Sequence, residues 1–294
     1  MHLHGIGPAF FAPLSRTLGF VTVVTHHAQD YRRPKWGIAG RLLLKAGEFA
    51  AACSAHAVIC VSDALRNQFL SIHSWAARRT HVIRNAGGLT DANLPNESPV
   101  LGELGLAARG YILAVGRLEA TKAFDQLIQA FQQARLADRK LVIVGSDAGN
   151  DACARNLRQH ASDKIIFAGF QTGDALRRLY EEALLFVHPS SMEGYGLVIA
   201  EALSTGIPVI VSDIAVHREF GLDERCYFEP GNVEVLATLL RAPDYDVYRS
   251  PEARALLAKD SWDRVAREHL ALISLLLPDQ TKAATLRVES SDGS

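Results

Sequence analysis

From residue 111 onward the sequence alternates short apolar runs with amphipathic stretches, and this alternation restricts the fold more than any other feature. YILAVG (111–116), LVIVG (141–145), IIFAG (165–169), LLFVHP (184–189) and PVIVSD (208–213) are predicted strands, the first ending in glycine. Between the first two, Phe124, Leu127, Ile128 and Phe131 recur at i, i+3, i+4 and i+7, so they predict the buried stripe of a helix with Thr121 as its cap. Further helices are expected near 173–183 and 196–205. Strands alternating with helices in this way predict a doubly wound parallel sheet.

The first hundred residues follow the same logic, with strands at FVTVVTH (20–26), AVICV (57–61) and HVIRN (81–85) and a helix through RLLLKAGEFAAA (41–52). Met1–His4 resemble the tail of a strand, so the first domain is expected to be incomplete at its N-terminus. About a third of a domain of roughly 150 residues would be absent. The polar segment LTDANLPNESP (89–99) is the expected linker. The predicted organisation is a partial first domain over 1–97, a second over 98–260, a helix over 261–278 and a disordered polar tail over 279–294.

Composition limits the function classes. A chain of 294 residues, 48% hydrophobic, is long enough for two cores. Lys+Arg 31 against Asp+Glu 32 gives a net charge of -1, which supplies no basic field for nucleic acid. Cys53, Cys60, Cys153 and Cys226 contain no Cys-x-x-Cys pair, which suits reduced thiols in a cytoplasmic protein and suggests no metal site. No apolar run of about 18 residues is present to span a bilayer. Phe10, Phe11 and Trp36 beside Arg32, Arg33 and Lys35 suit either ordinary loop and core positions or peripheral contact at the inner membrane face.

The richest chemistry lies in HPSSMEGYGLVIAEALSTGIPVIVSD (188–213), where a strand ends, a glycine-containing turn follows and a helix starts near Gly196. Gly194 and Gly196 let a ligand approach the backbone, and the free N–H groups of a helix start favour a diphosphate. Glu201, inside the helix, suits a ribose diol, and Glu193 on the loop suits sugar hydroxyls. A second string, VGRLEATKAFDQLIQAF (115–131), places Arg117 and Lys122 at a strand end and helix start, where two cations neutralise a diphosphate leaving group without a metal. It lacks the glycines of a Walker loop or a GxGxxG fingerprint. A third, THHAQDYRRPKWG (25–37) preceded by HGIGPAF (4–10), sets His26 and His27 after a strand end, where clefts form in α/β sheets.

These strings resemble the retaining glycosyltransferases of GT-B fold, glycosyltransferase family 4 (group 1), and in the first domain rhamnosyltransferase-like members of polysaccharide assembly. The resemblance implies two Rossmann-like domains, the second holding a nucleotide diphosphate sugar donor and the first a saccharide or lipid-linked acceptor, with retention of configuration and no cofactor or metal. It matches Glu193 to the glutamate on the donor sugar and Glu201 to the one on the ribose. Gly194, Tyr195 and Gly196, with the amides of Leu197 and Val198, match positions beside the diphosphate. Arg117 and Lys122 match the family's cations. His27 is the better match to the histidine lining the donor sugar, and Asp30, Arg33 and Lys35 fall on the acceptor side. Ala123 and Ala86 stand where the family carries glycine, the latter after Asn85. Two rivals stay open: a non-catalytic nucleotide-sugar-binding fragment, and an epimerase or phosphorylase on the same scaffold.

Overall fold

A computed structural model describes residues 1–34, 36–87, 98–147 and 152–277. Lys35, nearly all of the expected linker and the whole of the expected tail lie outside them. The chain forms two compact units: residues up to Ala86 together with those from Ser261 onward, and Gly87–Asp260.

In the first unit, β1 (His2–His4), β2 (Val23–His26), β3 (Ala57–Cys60) and β4 (Thr80–Val82) form a parallel sheet in the order β1-β2-β3-β4. Strand β2 starts at Val23, three residues later than the apolar run suggests, and β4 stops at Val82. The helices are α1 (Ala12–Thr17), α2 (Ile38–Ser54) and α3 (Asp63–Ile72). Helix α3, which has no long apolar stripe, is started by Ser62, whose side chain accepts from the Leu65 amide. Helix α2 approaches the segment after β1 only because residue 47 is glycine: a Cβ there would stand 1.9 Å from the Ile6 carbonyl oxygen.

The second unit begins with α4 (Val100–Glu103) and carries a six-stranded sheet in the order β10-β9-β8-β5-β6-β7, parallel at every pairing. Its strands are β5 (Tyr111–Val115), β6 (Lys140–Val144), β7 (Ile165–Gly169), β8 (Leu185–His188), β9 (Val209–Ser212) and β10 (Tyr227–Phe228). Strands β5, β8 and β9 are buried along their whole length, because helices cover both faces of such a sheet. Those helices include α5 (Phe124–Ala134), α6 (Ala152–Arg158), α7 (Gly173–Glu181), α8 (Leu197–Thr205), α9 (Ala215–Arg218), α10 (Val233–Leu239) and α11 (Pro251–Leu257). Both units have the Rossmann-like α/β architecture that the sequence pattern predicts.

The apolar stripe of α5 is buried as predicted, but Thr121 does not cap it. The N-cap is Ala123 in the left-handed conformation, φ 51° and ψ 36°. A short 3-10 turn, Ala120–Lys122, comes first and places Thr121 too early, so its hydroxyl donates instead to Glu119 Oε1 at 3.1 Å.

The last helix, α12 (Trp262–Leu276), belongs to the first unit. Its Val265 joins Val23, Ala57, Ile59, Ile83 and Ala86 in one apolar cluster, with Leu272, Ile273 and Leu276 against it. Among the described residues no helix is long and apolar enough to cross a membrane. Phe10, Phe11 and Trp36 are all exposed.

Candidate functional site

In the second sheet the chain runs outward from β5 through β6 and β7, then returns to the other side of β5 as β8, β9 and β10. Strands β5 and β8 are hydrogen-bonded neighbours where the strand order reverses, the switch point at whose C-terminal end ligands bind in open α/β sheets. The β5 loop carries Arg117 and Lys122; the β8 loop carries Glu193. Three hydrogen bonds tie these loops together, since the Thr121 carbonyl accepts from the Ser191 amide at 2.9 Å and from the hydroxyls of Ser190 at 3.0 Å and Ser191 at 3.2 Å.

Glu193, on the β8 loop, gathers the charged contacts at this switch point. Its Oε1 accepts from His188 Nε2 at 2.7 Å and from the Lys122 ammonium. Burial pushes the Glu193 carboxyl up, but the hydrogen bond from His188 and the charge of Lys122 outweigh it and hold the carboxyl well below the usual range. His188, fully buried, is pushed down by burial against the opposing pull of Glu193. Among the described residues its Nδ1 has no partner, so the neutral tautomer with the proton on Nε2 suits the site.

Behind His188 stands His217, its ring centroid 5.3 Å away and its pKa pushed down to about 3 by burial and by His188. Its Nδ1 donates to the Ser212 carbonyl at 2.7 Å. His188, Glu193 and His217 offer ligand atoms within 4.8 Å of one another, the one such group among the described residues. A fixed cation already engages it, because the Lys122 ammonium meets the Glu193 carboxylate.

Helix α8 is preceded by Gly196 as its N-cap, whose φ of 96° needs a residue without Cβ strain, and among the described residues no side chain caps it. The first-turn amides of Leu197 and Val198 therefore lie beyond helical pairing, as an anion requires. Gly194 is buried in the turn, and Tyr195 packs its ring on Phe220, centroids 5.4 Å apart. Glu201 accepts from the Tyr180 hydroxyl at 2.8 Å, and burial raises its pKa against that hydrogen bond. Arg117, half exposed, turns to Glu119 Oε1 at 3.2 Å. The structure thus brings Lys122 and Glu193 into contact and directs Arg117 to a different carboxylate. His188, His217 and Tyr180 were not singled out from sequence, where each sits in or beside an apolar run and resembles core.

The first unit separates the two adjacent histidines. His26 is fully buried and its Nε2 meets Glu48 Oε2 at 3.0 Å, while Tyr31 and His73 converge on Glu48 Oε1. Burial pushes the Glu48 carboxyl up, and His26 and His73 together bring it below its usual value. His27 is exposed, and its Nε2 lies 3.2 Å from His4 Nδ1 in a stacked pair. Burial and His4 lower its pKa. The His2 ring adjoins those of His4 and His269. Asp30 and Arg33 pair with each other at 2.8 Å.

Residues 1–86 match the model of Glycosyltransferase Family 4 and residues 106–242 that of Glycosyl transferases group 1. The chain is 29% identical over 236 residues to O-antigen chain mannosyltransferase B of Escherichia coli, covering 76% of this chain and 61% of that protein. It is 32% identical over 232 residues to the uncharacterized glycosyltransferase MJ1607 of Methanocaldococcus jannaschii, covering 72% of this chain and 58% of that one. The chain therefore spans about six tenths of the length of these relatives. Its fold is similar to sucrose-phosphate synthase from Thermosynechococcus elongatus, at a TM-score of 0.75, 21% identity and coverage of 94% and 73%. It is equally similar to Anabaena Alr3699/HepE in complex with UDP and glucose, at 0.75, 20%, 93% and 78%. Each half thus matches a glycosyltransferase family model, and the two units share the GT-B architecture of these solved structures.

Proposed function

We propose that the protein transfers a hexosyl group from a nucleotide diphosphate sugar to a saccharide or lipid-linked acceptor in polysaccharide or glycan assembly, with retention of configuration. The observation that carries this reading is the Glu193 carboxylate, kept ionised by His188 and Lys122 at the switch point between β5 and β8. A carboxylate so placed accepts hydrogen bonds from sugar hydroxyls, and Lys122 is within reach of charge developing on a departing diphosphate. In this reading the amides of Leu197 and Val198 hold the diphosphate, Arg117 adds charge to it, and Glu201 takes the ribose diol. Gly194, Tyr195 and Gly196 shape the turn beside it. His27 keeps the role the resemblance gives it, toward the donor sugar.

The acceptor oxygen bonds to the anomeric carbon on the face from which the diphosphate leaves. The carbon–oxygen bond to phosphate breaks, and the acceptor's proton passes to the departing phosphate oxygen. The names of the Escherichia coli relatives, mannosyltransferases, favour a mannose-like donor, and the first-domain resemblance extends the choice to rhamnose. We place the protein in the cytoplasm, and the exposed Phe10, Phe11 and Trp36 suit peripheral contact at the inner membrane face. The test is incubation of the chain with GDP- and UDP-linked sugars and lipid-linked or free saccharide acceptors, reading both product and anomeric configuration. Retained-configuration product supports the reading. Donor binding without any transfer favours the non-catalytic alternative.

A further inference from the structure

Tyr180 touches Glu201 but has no role of its own in the proposed donor contacts. It lies in the last turn of α7, its ring fully buried and packed on Phe186 with centroids 5.5 Å apart. Its hydroxyl crosses to α8, where it stands 2.8 Å from Glu201 Oε2 and 3.3 Å from the Val198 carbonyl oxygen. One hydroxyl has one proton to donate, and the nearer, charged acceptor takes it. Burial and the neighbouring carboxylate raise the tyrosine's own pKa well above its ordinary value, so the group stays a donor. Among the described residues Oε1 of Glu201 has no hydrogen-bond partner.

We infer that Tyr180 is a positioning residue for nucleotide binding: by holding Glu201 Oε2 from the buried side, it fixes the carboxylate so that Oε1 is presented to the vicinal diol of the ribose. This rests on the reading that puts Glu201 on the ribose. A glutamate side chain has three torsions, and one left free must lose that freedom when the ligand arrives, so a carboxylate already locked by a buried donor binds more tightly. Packing of α7 on α8 does not by itself call for a hydroxyl aimed at a carboxylate. The Val198 carbonyl alone would satisfy a buried phenol.

The experiment compares GDP and UDP with their 2′,3′-dideoxy forms by calorimetric titration of the full chain, wild type and Tyr180→Phe. Phenylalanine keeps the buried ring, and a thermal melt verifies that the variant is folded. In the wild type, removing the diol weakens the preferred nucleotide about tenfold, the scale of hydrogen bonds to a charged group. In Tyr180→Phe the ribonucleotide weakens about fivefold while the dideoxy form binds as before, so the discrimination falls to about twofold. Equal weakening of both forms would assign Tyr180 to packing alone, and unchanged affinity for both would show that Glu201 is placed without it. Either result overturns the inference and leaves the ribose assignment standing. Wild-type protein that does not distinguish the two forms would instead remove Glu201 from the ribose, and the inference with it.

Discussion

Glu193 and Glu201 differ in what surrounds them, and their variants should differ accordingly. Glu193→Gln removes the charge that Lys122 neutralises but keeps a polar group at the switch point. Nucleoside diphosphate affinity should stay within about twofold, while preference among nucleotide sugars should fall by about tenfold, on the scale of one charged hydrogen bond. Equal losses for both ligand classes would contradict the division of roles. His217 supplies a stability prediction. Its pKa is lowered from 6.5 to about 3, so below pH 6.5 the unfolded state binds the proton that the folded state refuses. Stability from this group is complete above pH 6.5 and is lost as pH falls toward 3, at up to about 1.4 kcal/mol per pH unit. Denaturant midpoints of His217→Gln should accordingly fall less steeply with acidification than those of the wild type. The placement of the two glutamates, one on the loop after β8 and one inside α8, was legible because they stand in a strand, turn and helix string. His188, His217 and Tyr180 were not, because a buried polar side chain leaves no mark on hydrophobic periodicity.

At the scale of elements, the start of α5 holds a residue at odds with its backbone. Ala123 adopts φ 51°, where a Cβ is strained and glycine is not. Ala123→Gly should raise stability by about 0.5–1 kcal/mol in chemical denaturation, relief of strain exceeding the extra entropy of glycine in the unfolded chain. A loss of stability would show that the Ala123 methyl, buried in the native state, contributes more packing than strain. The sequence could not show this conformation, since a threonine before an apolar stripe is an ordinary capping signal and the intervening 3-10 turn has none of its own. Strands β5 to β9 were legible because their apolar runs exceed what a loop tolerates. Two-residue β10 and the weakly striped α3 were not, being defined by neighbours rather than by periodicity.

At the scale of the whole molecule, chain order and spatial order part company at α12. The helix follows the second unit in sequence yet is built into the core of the first, through Val265. Amphipathic periodicity reveals that such a helix has a face to bury, never which core receives it. Val265→Ala should destabilise the first unit by about 1–3 kcal/mol through the lost methyl groups and the space they leave, while donor affinity in the second unit stays the same. Urea unfolding followed alongside nucleotide titration would check both halves of that statement.

Lys122 and Glu201 are proposed to hold a nucleotide diphosphate sugar at the switch point between β5 and β8. Calorimetric titration of GDP-mannose and UDP-glucose into wild type, Lys122→Ala and Glu201→Ala tests it most directly. Saturable binding of at least one donor by the wild type and a loss of about tenfold or more in each folded variant are expected. Wild-type affinity retained by both variants would place the donor elsewhere and contradict the claim.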